Sequence, residues 1–227
     1  TLFLRFDGSP SFATLDTPEA ARAFFAAQFP DVAPLLPDLE EQFFENPTGS
    51  MVTVKCWPWA AEGRALLLGD AAHAIVPFFG QGMNCGFEDC EVLDDVLGRL
   101  GHAGQAFAEV ARLRKPNADA IADMAVENFV EMRDSVADPR FLLEKAIERR
   151  LLNALPGEFL SRYALVTFSR VPYRTAAEVG RVAGAIVSEL ASGVRSADEV
   201  DLERARALVR ARLAPVLAEL PPVDRGA

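Results

Sequence analysis

The sequence is poor in the residues that most often mark a site. It holds two histidines, His73 and His102, in 227 residues, too few for a histidine-rich metal centre. Its three cysteines, Cys56, Cys85 and Cys90, contain no CxxC pair and cannot all pair with one another. That excludes a disulfide framework and fits a reduced compartment best. Positive charge is also short: 23 Lys and Arg stand against 33 Asp and Glu, a net charge of −10. A balance this acidic argues against nucleic acid or an anionic membrane as the main partner. No window reaches the roughly 18 uninterrupted apolar residues of a membrane helix, and no basic-then-apolar leader opens the chain. The expectation is a cytoplasmic chain with no nucleic-acid partner, no membrane span and no metal.

What is present is ordinary in amount and informative in order. Half the residues are apolar and a quarter charged, as in soluble globular proteins, and the length suffices for one large or two modest domains. Leu2–Phe6 and Ser11–Leu15 alternate around Asp7-Gly8-Ser9-Pro10, which predicts a β-hairpin. Thr17-Pro18-Glu19 starts a helix that Pro30 stops. Met51–Cys56 is β-branched and alternating, a strand signal. Ala65–Leu68 is a fully apolar run of the kind buried in a sheet covered on both faces.

Helical spacing dominates afterwards. A long helix runs from Phe107 to about Asp134, with a break allowed at Pro116, and Ile121, Ala125, Asn128 and Met132 share one of its faces. Asp138-Pro139 starts another helix, to about Leu155. Val179, Val182, Ile186, Leu190 and Val194 form one apolar stripe, and Leu202, Val209, Leu213, Val216 and Leu220 a second. Acids and arginines mix on the polar side of the second stripe, which favours two amphipathic helices packed on the body over a membrane-surface helix. Residues 221–227 read as a disordered tail.

Leu66 to Leu97 organises the rest. An apolar run stops at Gly69-Asp70, crosses a loop with Pro77 and glycines 80 and 82, and enters an acid-rich helix. A carboxylate at a strand end repels phosphate but accepts hydrogen bonds from sugar or polyol hydroxyls. Ala71 and Ala72 let a ligand approach closely. The glycines at 80, 82 and 86 are spaced G-x-G-x-x-x-G, not the dinucleotide fingerprint. They permit a tight turn whose N–H groups, with the following helix start, can face developing negative charge.

GDAAHAIVPFFGQGMNCGFEDC, residues 69–90, resembles the second flavin-binding motif of the FAD-dependent aromatic hydroxylases. VENFVEMRDSV at 126–136, YALVTFSRVPY at 163–173 and DTPEAARAFFAAQFPD at 16–31 resemble further segments of the members that hydroxylate kynurenine. The resemblance covers roughly residues 1–173 in order. It implies an α/β protein carrying part of an FAD-dependent aromatic hydroxylase (FAD/NAD(P)-binding) fold with a helical C-terminal region. Residues 1–60 would contribute to the substrate-binding sheet and its helices, 61–100 the second half of the FAD-binding domain, and 101–220 the helical region closing the substrate pocket.

Roles follow from the same resemblance. Asp70 matches the acid that bonds the ribityl chain of FAD. Gly82, Met83 and Asn84 match the helix start whose backbone meets the flavin ring. Pro77, Phe78 and Phe79 match the loop between flavin and substrate, and Gln81 touches either ligand. Asn128 and Tyr163 match positions that hold the amino-acid carboxylate, with Met132 lining the same pocket. The implied reaction is hydroxylation of L-kynurenine to 3-hydroxykynurenine with NADPH as co-substrate and O2 as oxidant. It demands no acid or base of this chain. A homodimer is compatible.

Read without the resemblance, the same residues have plainer roles. Asn128 is then a core asparagine bonded to backbone, Tyr163 a packing tyrosine, and Phe78-Phe79 core as readily as pocket. His73 is read as structural, Cys85 as a buried inert thiol, and Glu88, Asp89, Glu91, Asp94 and Asp95 as a solvated helix face. The hydroxylase pattern also needs a Rossmann half with G-x-G-x-x-G, an acid for the ADP ribose and a substrate-binding arginine, none of which is in this sequence. With Thr1 as its first residue, the chain reads as the later part of a longer protein, unable to hold FAD tightly alone. A non-catalytic remnant or helical interaction module, and a hydroxylase of another aromatic substrate, remain the alternatives.

Overall fold

Thr17-Pro18 starts a helix where the sequence predicts one. In α1, Pro18–Gln28, the Thr17 hydroxyl accepts from the Ala20 N–H at 3.2 Å, and proline needs no N–H partner in the first turn. A second helix, α2, spans Leu39–Glu45. Arg22 on α1 pairs with Glu40 on α2 at 2.6 Å, and the Phe25 ring meets Phe43 edge-on at 6.3 Å. These helices belong to one compact unit, Thr1–Met51; Val52–Ala227 forms another.

The computed structural model describes residues 2–4, 8–135 and 138–219. The first strand expected near Leu2–Phe6 lies partly outside them, and the tail 221–227 wholly so. The second expected strand does not form: Phe12–Thr14 is a single 3-10 turn. Local side-chain bonding wins over strand pairing here. The Thr14 hydroxyl donates to the Ser11 carbonyl and accepts from the Ser11 N–H, both at 3.0 Å.

The only sheet among the described residues is a short antiparallel hairpin, β1 (Ala60–Ala61) with β2 (Ala65–Leu66), Ala60 opposite Leu66. The strand predicted over Met51–Cys56 is irregular; its Val54 N–H donates to the Ala74 carbonyl at 2.8 Å. Nor is Ala65–Leu68 buried on both faces, since Ala65 and Leu67 are exposed. A two-sided strand needs neighbours on both edges, and this one has β1 alone.

Helices make the rest. They are α3 (Asp70–His73), α4 (Gly82–Leu100), α5 (Ala103–Val130), α6 (Pro139–Ala154), α7 (Arg162–Phe168), α8 (Tyr173–Ala191), α9 (Leu202–Leu208) and α10 (Ala214–Ala218). α5 is the axis: α4 and α8 pack on it, and α6 and α7 pack on α8. It runs through Pro116 unbroken. The ring faces solvent, and the Asn117 side chain donates to the Leu113 carbonyl at 3.3 Å. Beyond Val130 the turns widen into a π-helical segment, Glu131–Ser135.

The stripe predicted on α8 is core: Val179, Ile186 and Leu190 are all buried. The tail stripe packs on α8 through Val209 and Leu213, both fully buried in a π-helical segment joining α9 to α10, while Leu220 lies outside the described residues. Burying side chains of this size contributes roughly 1.5–3 kcal/mol each. No helix among the described residues is long and apolar enough to cross a membrane.

Candidate functional site

Gly69 is the hinge of the first part of the site. Its φ of 56° and ψ of −141° are open to glycine and closed to β-carbon residues. Its carbonyl accepts from the N–H groups of Ala72 and His73, each at 2.9 Å. Asp70 follows as the first residue of α3, its side chain exposed.

α4 passes close to this turn: a β-carbon placed on Gly86 would lie 3.8 Å from the Gly69 Cα. At its start the Cys85 N–H donates to the Gln81 carbonyl at 2.8 Å. The N–H groups of Gly82, Met83 and Asn84 precede that bond and are the free donors a helix leaves at its start. Met83 is 71% exposed and Asn84 is exposed too. Gln81 is buried, its side-chain oxygen accepting from the Tyr173 hydroxyl at 3.1 Å and the Asn84 amide at 3.0 Å. Gln81 thus ties the start of α4 to α8. Burial, followed by the nearby Glu88 and Cys85, raises the Tyr173 phenol above its ordinary range, so it stays a hydroxyl donor.

Beneath the turn lies a buried charge network. Asp89 is fully buried. One of its oxygens accepts from the Gly69 N–H at 2.9 Å and meets His73 Nε2 at 2.5 Å; the other accepts from Arg114 Nε at 2.8 Å. Arg114 also donates to Glu88 at 2.6 Å and to the Cys85 carbonyl at 3.2 Å. Burial opposes charge on His73, and the bonds to Asp89 and Cys85 outweigh it, so its pKa is pushed up to about 10. Burial likewise opposes charge on Asp89, and the bonds from His73, Arg114 and the Gly69 N–H hold its carboxyl below the ordinary range.

Asp89 and Glu88 therefore do not lie on a solvated face as the acid pattern suggests, although Glu91, Asp94 and Asp95 do. An arginine on the inner side of α5 draws the first two inward. His73 and Cys85 are buried as expected. His73, Cys85 and Asp89 bring donor atoms within 4.8 Å of one another. Arg114 places its guanidinium 3.4 Å from Cys85 Sγ and occupies Asp89, putting positive charge where a metal would need electron pairs.

The second part is a cleft of about 410 Å³ between α5, α6, α7 and α8, lined in part by Phe79, Asn128, Glu131, Lys145, Arg162 and Tyr163. The structure thus brings Phe79, Asn128 and Tyr163 together, and the Phe79 and Tyr163 rings lie 6.3 Å apart. Phe78 stacks on Phe129 of α5 at 4.7 Å instead. Pro77 is exposed at the start of the 3-10 turn Pro77–Phe79. The Asn128 amide donates to the Phe78 carbonyl at 2.7 Å, the backbone bond of the plainer reading, while its side chain also borders the cleft. Met132 lies one turn on, 53% exposed, with Sδ 3.9 Å from the Asn128 amide.

Arg162 is not singled out by the sequence pattern. Its guanidinium pairs with Glu127, and with Glu131 at 3.4 Å, and lies 5.9 Å from the centre of the Phe79 ring. The available signal was its place immediately before Tyr163.

The residues of the first part suit FAD chemically. A β-carbon on Gly69 or Gly82 would meet nothing within 4 Å, so both border open space. A free carboxylate suits polyol hydroxyls, and helix-start N–H groups suit an electron-rich ring edge.

Comparison with known proteins agrees. Residues 49–120 match the family described as FAD binding domain. The chain is 65% identical over 219 residues to kynurenine 3-monooxygenase of Myxococcus xanthus, covering 96% of this chain and 47% of that protein. The protein of the same name from Flavobacterium psychrophilum is 46% identical over 84% of this chain and 43% of its own length. That of Xanthomonas euvesicatoria is 45% identical over 95% of this chain and 48% of its own. The chain spans about half the length of the curated relatives it matches. Among the described residues, the mostly helical architecture with one small sheet is compatible with part of such an FAD-binding protein.

Proposed function

We propose that the chain supplies the ribityl-and-ring side of an FAD site and the pocket wall of a monooxygenase that converts L-kynurenine to 3-hydroxykynurenine with NADPH and O2. The observation that carries this reading is the Pro77–Phe79 turn. It leads from the Gly69–Asp70 turn to the start of α4 and lends Phe79 to the cleft shared with Asn128 and Tyr163. Such a loop lies between a cofactor and a substrate. The likeness to kynurenine 3-monooxygenases, which runs through all these segments, supplies the substrate class.

Asp70 would accept hydrogen bonds from the ribityl hydroxyls. The Gly82, Met83 and Asn84 N–H groups would stabilise negative charge on the ring. Bound FAD supplies hydride acceptance from NADPH and activation of O2. An aniline ring is already electron-rich, so the chain's task is to place it and keep water out. Phe79 and the Tyr163 ring would form apolar walls. The Asn128 amide, anchored on the Phe78 carbonyl, would offer its remaining polar atoms to the amino-acid end, with Tyr163 beside it and Met132 at the rim. Gln81 would act by holding the start of α4.

The test is NADPH oxidation by the full-length protein with L-kynurenine, with product separated by chromatography. Formation of 3-hydroxykynurenine is expected. Oxidation that yields only hydrogen peroxide, with kynurenine intact, would remove the substrate assignment. Absence of any flavin in the purified full-length protein would remove the whole reading in favour of a non-catalytic remnant.

A further inference from the structure

We propose that Arg114 is a positioning residue for the flavin: through Asp89 it fixes the Gly69 N–H, and with it the direction in which the Asp70 carboxylate meets the ribityl chain. The inference rests on the flavin reading above and extends it to a buried arginine on α5.

The argument begins at Asp70. Its exposed side chain accepts no hydrogen bond from another described residue, so the backbone alone aims it. That backbone turns at Gly69, in a conformation glycine reaches easily and leaves as easily. Something outside the turn must select it. Asp89 does so from below, its Oδ2 holding the Gly69 N–H at one end of the turn and His73 Nε2 at the other.

Asp89 can act this way only as a carboxylate, because a protonated acid gives up an acceptor. An isolated buried carboxylate would take up a proton rather than stay charged. His73 on one oxygen and Arg114, itself 5% exposed, on the other prevent this together. Arg114 Nε is on Asp89, one terminal nitrogen is on Glu88 and the other is on the Cys85 carbonyl. Three acceptors in three directions need the planar guanidinium fork; a lysine ammonium is a single point charge on a freer stem. α5 thereby clamps α4 and the Gly69 turn together. An error of about 1 Å at a positioned group can cost roughly a hundredfold.

The experiment is a double-mutant cycle on FAD affinity in the full-length protein, read by flavin fluorescence, with Arg114→Lys and Asp70→Ala made singly and together. If Arg114 acts through Asp70, Arg114→Lys should weaken FAD about tenfold alone and less than about twofold once Asp70 is alanine. Equal losses in both backgrounds would show a merely structural role and overturn the proposal while leaving the flavin reading intact. Unchanged affinity on Asp70→Ala would overturn that reading, and the proposal with it. The melting of each apo-protein is followed by circular dichroism. Should Arg114→Lys fail to fold, Asp89→Asn, which weakens the same link, takes its place in the cycle with the same two outcomes.

Discussion

Arg162 and Gly180 touch so closely that no methyl group fits between them. A β-carbon at Gly180 would lie 2.7 Å from Arg162 Cβ, 2.8 Å from Cδ and 3.0 Å from Cγ. The stem of Arg162 therefore lies flat on α8, its guanidinium reaches Glu127 and Glu131, and Tyr163 is presented beside the cleft. Gly180→Ala must displace a side chain at its root, not at a flexible tip. A loss of about 1–3 kcal/mol in urea unfolding is expected, typical of overpacking. Gly184, one turn on, is the control: its β-carbon would meet nothing within 4 Å. Gly184→Ala should be neutral or stabilising by up to about 1 kcal/mol, because alanine favours helix. Equal behaviour of the two variants would contradict this packing.

Asn128 joins the loop to the cleft, and its loss should be felt on both sides. Asn128→Ala removes the donor to the Phe78 carbonyl, worth about 0.5–1.5 kcal/mol of stability. It also removes the polar atoms proposed to meet the substrate's amino-acid end. KM for kynurenine should rise about 10–100-fold, the usual range for a lost bond to a charged group, with flavin content unchanged. An unchanged KM would leave Asn128 with its backbone role alone.

How legible each feature was followed from the range of the forces behind it. Thr17-Pro18 and Asp138-Pro139 are local signals, and both helices start there. The α8 stripe is equally local in kind, since five residues at helical spacing state which side faces inward. Asp89 was illegible because its burial depends on Arg114, 25 residues later and on another helix. Read alone, an acid among acids belongs to solvent. The short strands failed for a similar reason: Ala65–Leu68 has an apolar composition, but strand pairing depends on neighbours that composition does not name. The GDAAH segment carries a local signal, a carboxylate beside glycine and alanines, for the ligand site proposed above. The network beneath it left no trace in spacing.

The three cysteines should separate by reactivity. Cys90 is exposed, Cys56 is half-buried, and Cys85 is fully buried beside Arg114. Thiol labelling with peptide mapping should modify Cys90 first. Cys85 should react only at the rate of opening of the core, because an enclosed thiol must be exposed before it is attacked. Labelling of Cys85 as fast as Cys90 would mean that α4 does not pack on α5 as described.

The His73–Asp89 pair gives stability a defined dependence on pH. His73 is raised from an ordinary value of 6.5 to about 10, so between those values the folded chain holds a proton that the unfolded chain has lost. Stability then falls with rising pH. The histidine contribution is complete below 6.5 and is lost as pH climbs through about 10. Asp89 is lowered from 3.8, so its contribution is complete above that value and is lost as pH falls through the depressed one. The two together are greatest between about pH 4 and 6.5. Urea unfolding of wild type and His73→Gln from pH 5 to 10 isolates the histidine: the gap between the two curves should narrow steadily above pH 6.5. A gap that stays constant across that range would mean that His73 is neutral in the folded chain and that Arg114 alone balances Asp89.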